Sequence, residues 1–399
     1  MNPFPALLLA GLLTTSASAG TDFDFLLAAT RQDASMDWWY ALPQPFAPKL
    51  QPLKTAPKGE YFSLIPVFRR YAVDSNDTAS IVFDLTVRRP DGGLDSSLKR
   101  LDGFRGVPPS EKALLPARAV VRFCFDDDDP LGNYVFEAVA VDEIAHATNR
   151  RRIVVEHVPF APPDLSEETC ESLFLHYPER PDPVRAFAAF LQTRRGFVNE
   201  EGEPVWAAIW FYKTVFKENE FLLPHLLEAF EKGDRRRRLR IVLLLVLLNE
   251  TDRLPALSPE LEAFRREAEK GHVPDPYAGR LKDARQLDLL WAEFFATGRV
   301  EPIRRFVAAF DLADVAGTLE KIKAGTLDFD DPEVRRDARL EAVFQAALWS
   351  MRSNLRTSSL LFRYAIGLAD DERLPRKERV ILHMLTKDAL RQRKEAAEK

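Results

Sequence analysis

The sequence predicts a multidomain chain, an all-β unit followed by an all-α unit, and three observations predict it. Short runs with period-two alternation occupy residues 60–160, helical spacing of apolar residues occupies 165–399, and a Pro-bearing linker at 161–164 separates them. Ahead of both stand an apolar leader, 1–19, and a Pro-rich lead-in, 20–59. At 399 residues, 46% hydrophobic and 29% charged, the chain is long enough for two cores.

The leader MNPFPALLLAGLLTTSASA reads as a signal peptide. Its apolar run from Ala6 to Leu13 is too short to span a bilayer, and Ala17, Ser18 and Ala19 offer small side chains for cleavage before Gly20. The expected home is therefore the periplasm or the exterior. A lipoprotein anchor would need a cysteine at the cleavage point, and the first is Cys124. The longest later apolar run, Ile241 to Leu248, is also too short for an integral membrane segment. A net charge of −5 supplies no field that gathers nucleic acid. In the lead-in, Trp38, Trp39 and Tyr40 precede Pro43, Pro45, Pro48, Pro52 and Pro57. Such proline density opposes helix and central strand, and adjacent tryptophans predict a segment lying along a neighbouring domain.

The β unit is built from EYFSLIPVF, SIVFDLTVRR, RAVVRFCF, NYVFEAVAV and RRRIVVEHVPF. Ile81, Phe83, Leu85 and Val87 share one face, and Tyr134, Phe136, Ala138 and Ala140 another. The turn DDPLGNY sets Asp129, Gly132 and Tyr134 at the spacing of a tyrosine corner, which makes the expected fold an immunoglobulin-like β-sandwich. Phe136 stands where such domains carry their second Cys. The stretches FSLIPVF, DLTVRRPDGG, LDGFRGVPP and FCFDDDDPLGNYVFEAVAVDE, about a quarter of the chain, resemble the β module of uncharacterised exported bacterial proteins. LDLLWAEFFATG and ALWSMRSN are similar to helical regions of other uncharacterised bacterial proteins. The resemblance implies a fold and an exported, binding-type context, and no activity.

From Leu165 onward about eleven helices are expected. Asp164 with Glu167 resembles a capping box. Pro183, Pro204, Pro302 and Pro332 mark helix starts, and Gly196, Gly233, Gly271, Gly298 and Gly325 follow helix ends. Leu287, Leu290, Trp291, Phe294 and Phe295, then Ile303, Phe306, Val307 and Phe310, predict an αα-hairpin split at Thr297-Gly298-Arg299. No fixed repeat period emerges, so the helical domain is a solenoid-like array or an irregular bundle.

Chemistry-bearing patterns are sparse. Asp126 to Asp129 fails the calcium-loop template, because Leu131 and Ala138 occupy ligand positions. Asp74, Asn76, Asp77 and Thr78 read as a hairpin turn. The histidines never pair at metal-ligand spacing, and no nucleophile elbow or phosphate loop is present. No catalytic, cofactor or metal residue is assigned. In an oxidising compartment, Cys124 and Cys170 could be joined, worth about 4 kcal/mol in the chain-entropy view, or remain two buried thiols. The aromatics Trp206, Trp210, Phe211, Tyr212 and Phe216 are expected in a core rather than on a carbohydrate platform.

The sharpest local anomaly is Arg235, Arg236, Arg237, Arg238 and Arg240, because cations at a helix start oppose the helix dipole. Intramolecular pairing accounts for it, or else an anionic ligand or acidic partner held by guanidinium forks. The expected function is an exported non-catalytic binding or scaffold protein with a protein or glycan partner in the cell envelope. The alternatives are a hydrolase with its site in a groove of the helical domain or between domains, and an envelope chaperone.

Overall fold

A computed structural model describes residues 23–32, 39, 50–110, 113–193, 205–271 and 273–397. The leader and its cleavage point, Trp38, Tyr40, Pro43, Pro45, Pro48, Gly196, Pro204 and His272 lie outside the described residues. The strands are β1 (Asp24–Thr30), β2 (Thr55–Ala56), β3 (Phe62–Arg69), β4 (Ala79–Arg88), β5 (Leu94–Gly106), β6 (Leu115–Pro116), β7 (Val121–Phe123), β8 (Gly132–Asp142) and β9 (Ala147–His157).

Alternation sets the faces as expected. Ile81, Phe83, Leu85 and Val87 of β4, and Tyr134, Phe136, Ala138 and Ala140 of β8, are buried in one core with Phe62, Phe68 and Phe125. The immunoglobulin-like sandwich is corrected. The strands run β2-β9-β8-β4-β5 in one sheet, while β3 carries β1, β6 and β7 in the other. Arg151 of β9 donates from Nε to the Phe25 carbonyl at 3.0 Å and pairs with Asp24, and Asn149 donates to the Phe23 carbonyl at 3.0 Å. These arms draw β9 onto β1, giving a curled half-barrel rather than two stacked Greek-key sheets. The chain is thus mixed, a curled β unit followed by a helical region.

The expected corner residues meet, but through a side-chain bond where a tyrosine corner uses the backbone. Tyr134 Oη donates to Asp129 Oδ1 at 3.1 Å, and the other Asp129 oxygen accepts from Asp126 N at 2.8 Å. A local cap of this kind ties one turn to one strand, which is compatible with more than one strand order. Four strands lie outside the expected runs: β1 and β2 inside the lead-in, the two-residue β6, and β5, an edge strand whose Leu94 and Leu98 are exposed, so that no buried face imposes alternation on it.

β3 is the joint of the molecule. Phe62, Leu64 and Phe68 enter the β core, whereas Ile65 and Val67 enter a helical core together with Trp39. The near-continuous apolar run FSLIPVF therefore reflects burial on both faces. Trp39 Nε1 donates to the Leu114 carbonyl at 2.9 Å, fixing the lead-in between the two units.

The helices are α1 (Glu167–His176), α2 (Pro183–Gln192), α3 (Trp206–Glu218), α4 (Leu222–Glu231), α5 (Arg235–Leu248), α6 (Pro259–Lys270), α7 (Ala284–Thr297), α8 (Glu301–Val307), α9 (Thr318–Lys323), α10 (Pro332–Thr357), α11 (Ser359–Asp370) and α12 (Arg376–Ala397). Ser166, rather than Asp164, caps α1 by accepting from Thr169 N. α1–α6 enclose one core and α7–α12 the other, and α7 serves both, giving Ala292 and Ala296 to the first and Leu290, Trp291 and Phe294 to the second. The expected hairpin at Thr297-Gly298-Arg299 is present, with Gly298 at φ +68° closing α7 and Tyr364 Oη donating to its carbonyl at 2.7 Å. Among the described residues, no helix is long and apolar enough to cross a membrane.

Candidate functional site

The arginine run is largely engaged within the chain. Asp234 caps α5, its Oδ1 accepting from Arg237 N at 2.8 Å, which places a negative charge where the helix dipole favours it. That backbone contact holds the Asp234 carboxyl below its ordinary value. Arg235 pairs with Glu260 of α6. Arg238 donates to the Phe230 and Glu231 carbonyls at 3.1 and 2.9 Å, and Arg240 to those of Phe190, Leu191 and Thr193. Two of the five therefore satisfy the carbonyls ending α4 and α2, leaving Arg236 exposed and Arg237 half-buried. The anion that sequence reasoning sought at this helix start is Asp234, adjacent in the chain.

Cys124 and Cys170 are both free thiols in this structure. Cys170 is buried in the core of α1–α6, whereas Cys124 lies on the β unit near Asp126, so each belongs to its own unit. Burial pushes the Cys124 thiol up. In the acidic loop, Asp127 pairs with Lys58 and Asp129 serves the corner. Asp74 Oδ1 accepts from the N–H groups of Asn76 and Thr78, both at 2.9 Å, as a turn requires. Among the described residues no group of three His, Cys, Asp or Glu could hold a metal ion. Of the α3 aromatics, Phe211, Tyr212 and Phe216 are buried; Trp206 and Trp210 are half-buried, with the Lys213 ammonium 3.8 Å from the Trp210 ring centre.

What sequence reasoning missed is a cleft where the β unit meets α1, α2 and the turn between them. It encloses about 390 Å³, and Arg31, Gln51, His176, Arg180, Asp182 and Arg185 give it its polar lining. A second compartment of about 190 Å³ adjoins it, sharing Gln51 and Arg180 and adding Glu179, Ser359 and Arg363.

The carboxylates around this cleft are committed. Glu60 is fully buried and is gripped by Arg31 of the lining, with Arg31 Nη2 at 2.9 Å from Oε2. Burial outweighs that grip and holds the Glu60 carboxyl above its ordinary value. Asp182 caps α2, accepting from Arg185 N at 2.9 Å, and Glu179 Oε1 accepts from Leu360 N at 3.1 Å at the start of α11. The guanidinium groups of Arg180, Arg185 and Arg363 form no ion pair among the described residues. The arrangement can hold an anion by charge-assisted hydrogen bonds. Nothing local announces it, because Arg31, Arg180 and Arg363 come from three distant parts of the sequence.

No family model matches the chain, and no curated relative matches it by sequence. Among solved structures, it overlaps a family 123 glycoside hydrolase from Clostridium perfringens at 11% identity, TM-score 0.19, over 38% of this chain and 33% of that one. It overlaps Astrotactin-2, a vertebrate-specific, perforin-like membrane protein, at 14% identity, TM-score 0.18, over 59% and 41%. It overlaps a family 76 glycoside hydrolase from a bovine Bacteroides thetaiotaomicron strain at 9% identity, TM-score 0.16, over 82% and 88%. The chain spans about a third of the length of the first of these. Overlaps at such TM-scores transfer neither fold nor activity to it.

Proposed function

We propose that the chain is an exported, non-catalytic binding protein of the cell envelope whose junction cleft takes an anionic ligand. One observation carries this reading: Arg180, Arg185 and Arg363 line a cleft whose own carboxylates, Asp182 and Glu179, already accept from backbone N–H groups, while its Arg31 is held by the buried Glu60. Guanidinium groups left facing a concavity suit carboxylate, sulfate or phosphate groups. The volume of the larger compartment lies within the usual range of small-ligand sites, about 300–1,000 Å³. The signal-like leader supports the exported setting.

Calorimetric titration with sulfate, phosphate and a uronate at low and higher salt tests the reading. Binding is expected to weaken with salt, and Arg180→Ala combined with Arg185→Ala to lower affinity by about tenfold or more, since a hydrogen bond to a charged group contributes about 1.5–3 kcal/mol. Arg236→Ala, on the exposed start of α5, is expected to leave binding unchanged. Equal loss from Arg236→Ala, or no loss from the cleft pair, would refute the assignment.

A further inference from the structure

The two compartments are not separate holes. They share Gln51 and Arg180, so an occupant of one continues into the other over those two side chains. Arg185 lines only the larger compartment and Arg363 only the smaller, with Arg180 between them. The guanidinium groups are thus distributed along the cleft. A compact anion would draw on one end of it; a chain carrying anionic groups at intervals would engage both.

The lining between the charges narrows the chemistry. The Gln51 amide and the Ser359 hydroxyl make no side-chain hydrogen bond among the described residues, and each offers a donor and an acceptor. Pro52, Leu53 and Leu360 supply apolar surface beside them. A bare polyanion would set charged oxygens against those carbons, which costs solvation without return. A hydroxylated ring places C–H faces on the apolar residues, hydroxyls on the amide, and its acidic group on a guanidinium.

We infer that the ligand is an extended acidic oligosaccharide, lying across both compartments with one acidic group held at Arg185 and another at Arg363. This rests on the anion-binding reading above and adds length and sugar character to it.

Titrating the full chain with oligouronates from monomer to hexamer tests the inference, with linear polyphosphate as a second probe. Affinity is expected to climb until the oligomer reaches both ends of the cleft and then level off. Arg363→Gln is expected to lower hexamer affinity about tenfold and monomer affinity by much less, because removing one charge-assisted contact is worth at least a factor of that order. Arg185→Gln is expected to weaken both. Melting temperatures matching the parent chain establish that the variants are folded. Equal affinity for monomer and hexamer, with Arg363→Gln silent, would overturn the extended ligand and leave the anion site standing. Tighter binding of polyphosphate than of the hexamer would overturn the sugar character. Absence of binding by every anion would overturn the anion reading, and this inference with it.

Discussion

Glu378, in the first turn of α12, is buried, yet its carboxylate has no ion pair or side-chain hydrogen bond among the described residues. Burial, aided by Asp311 nearby, pushes its carboxyl from an ordinary value of 4.5 up to about 7. The neighbouring cations are engaged elsewhere, Lys377 with Asp311 and Asp314, and Arg280 with Asp311. Because the folded state holds the proton more tightly than the unfolded state, Glu378's contribution is fully present below pH 4.5 and is lost as pH rises to about 7. At about 1.4 kcal/mol per pH unit, the loss reaches at most about 3.5 kcal/mol. Glu378→Gln removes the ionisation and keeps the shape. Urea denaturation of both proteins at pH 5 and pH 8 is the assay, since other titrating groups cancel in the difference. The variant is expected to gain on the parent by about 2–3 kcal/mol between the two pH values. A stability difference that is the same at both would refute the reasoning.

Three further outcomes follow from named contacts. Glu60→Gln leaves Arg31 half-buried without its counter-charge and is expected to cost about 3 kcal/mol or more in denaturant titration; a cost under 1 kcal/mol would show that the pair adds little at the junction. Tyr134→Phe removes the hydroxyl bond to Asp129 and is expected to lower stability by about 1 kcal/mol, and an unchanged midpoint would show that the corner carries no load. Gly103→Ala would set a Cβ 2.7 Å from the Ile81 carbonyl oxygen and 3.0 Å from the Phe68 ring, so a loss of about 1–3 kcal/mol is expected in thermal or urea unfolding, and a neutral result would show that β5 shifts freely.

The sequence by itself determined what local periodicity and turn chemistry can determine. The inward faces of β4 and β8, the contact of Tyr134 with Asp129, the αα-hairpin through Gly298 and the order of a β unit before a helical one each depend on residues a few positions apart. The apolar run of β3 was visible too, but not that it faces two cores at once, since the second face is buried by helices more than two hundred residues later. Strand order belonged to the tertiary structure. Arg151 reaches the backbone of β1 across 126 residues and curls the sheet, and no alternation pattern encodes which edge an arginine will meet. The helix start at Arg235 was legible in part: intramolecular pairing was one of its two readings and Asp234 stands next to it in the chain, while the Glu260 carboxylate and the carbonyls ending α4 and α2 became its neighbours only on packing. The junction cleft is the extreme case. Arg31, Arg180, Arg185 and Arg363 stand in unremarkable local sequence, and their shared outlook on one concavity exists only once both units have closed on β3.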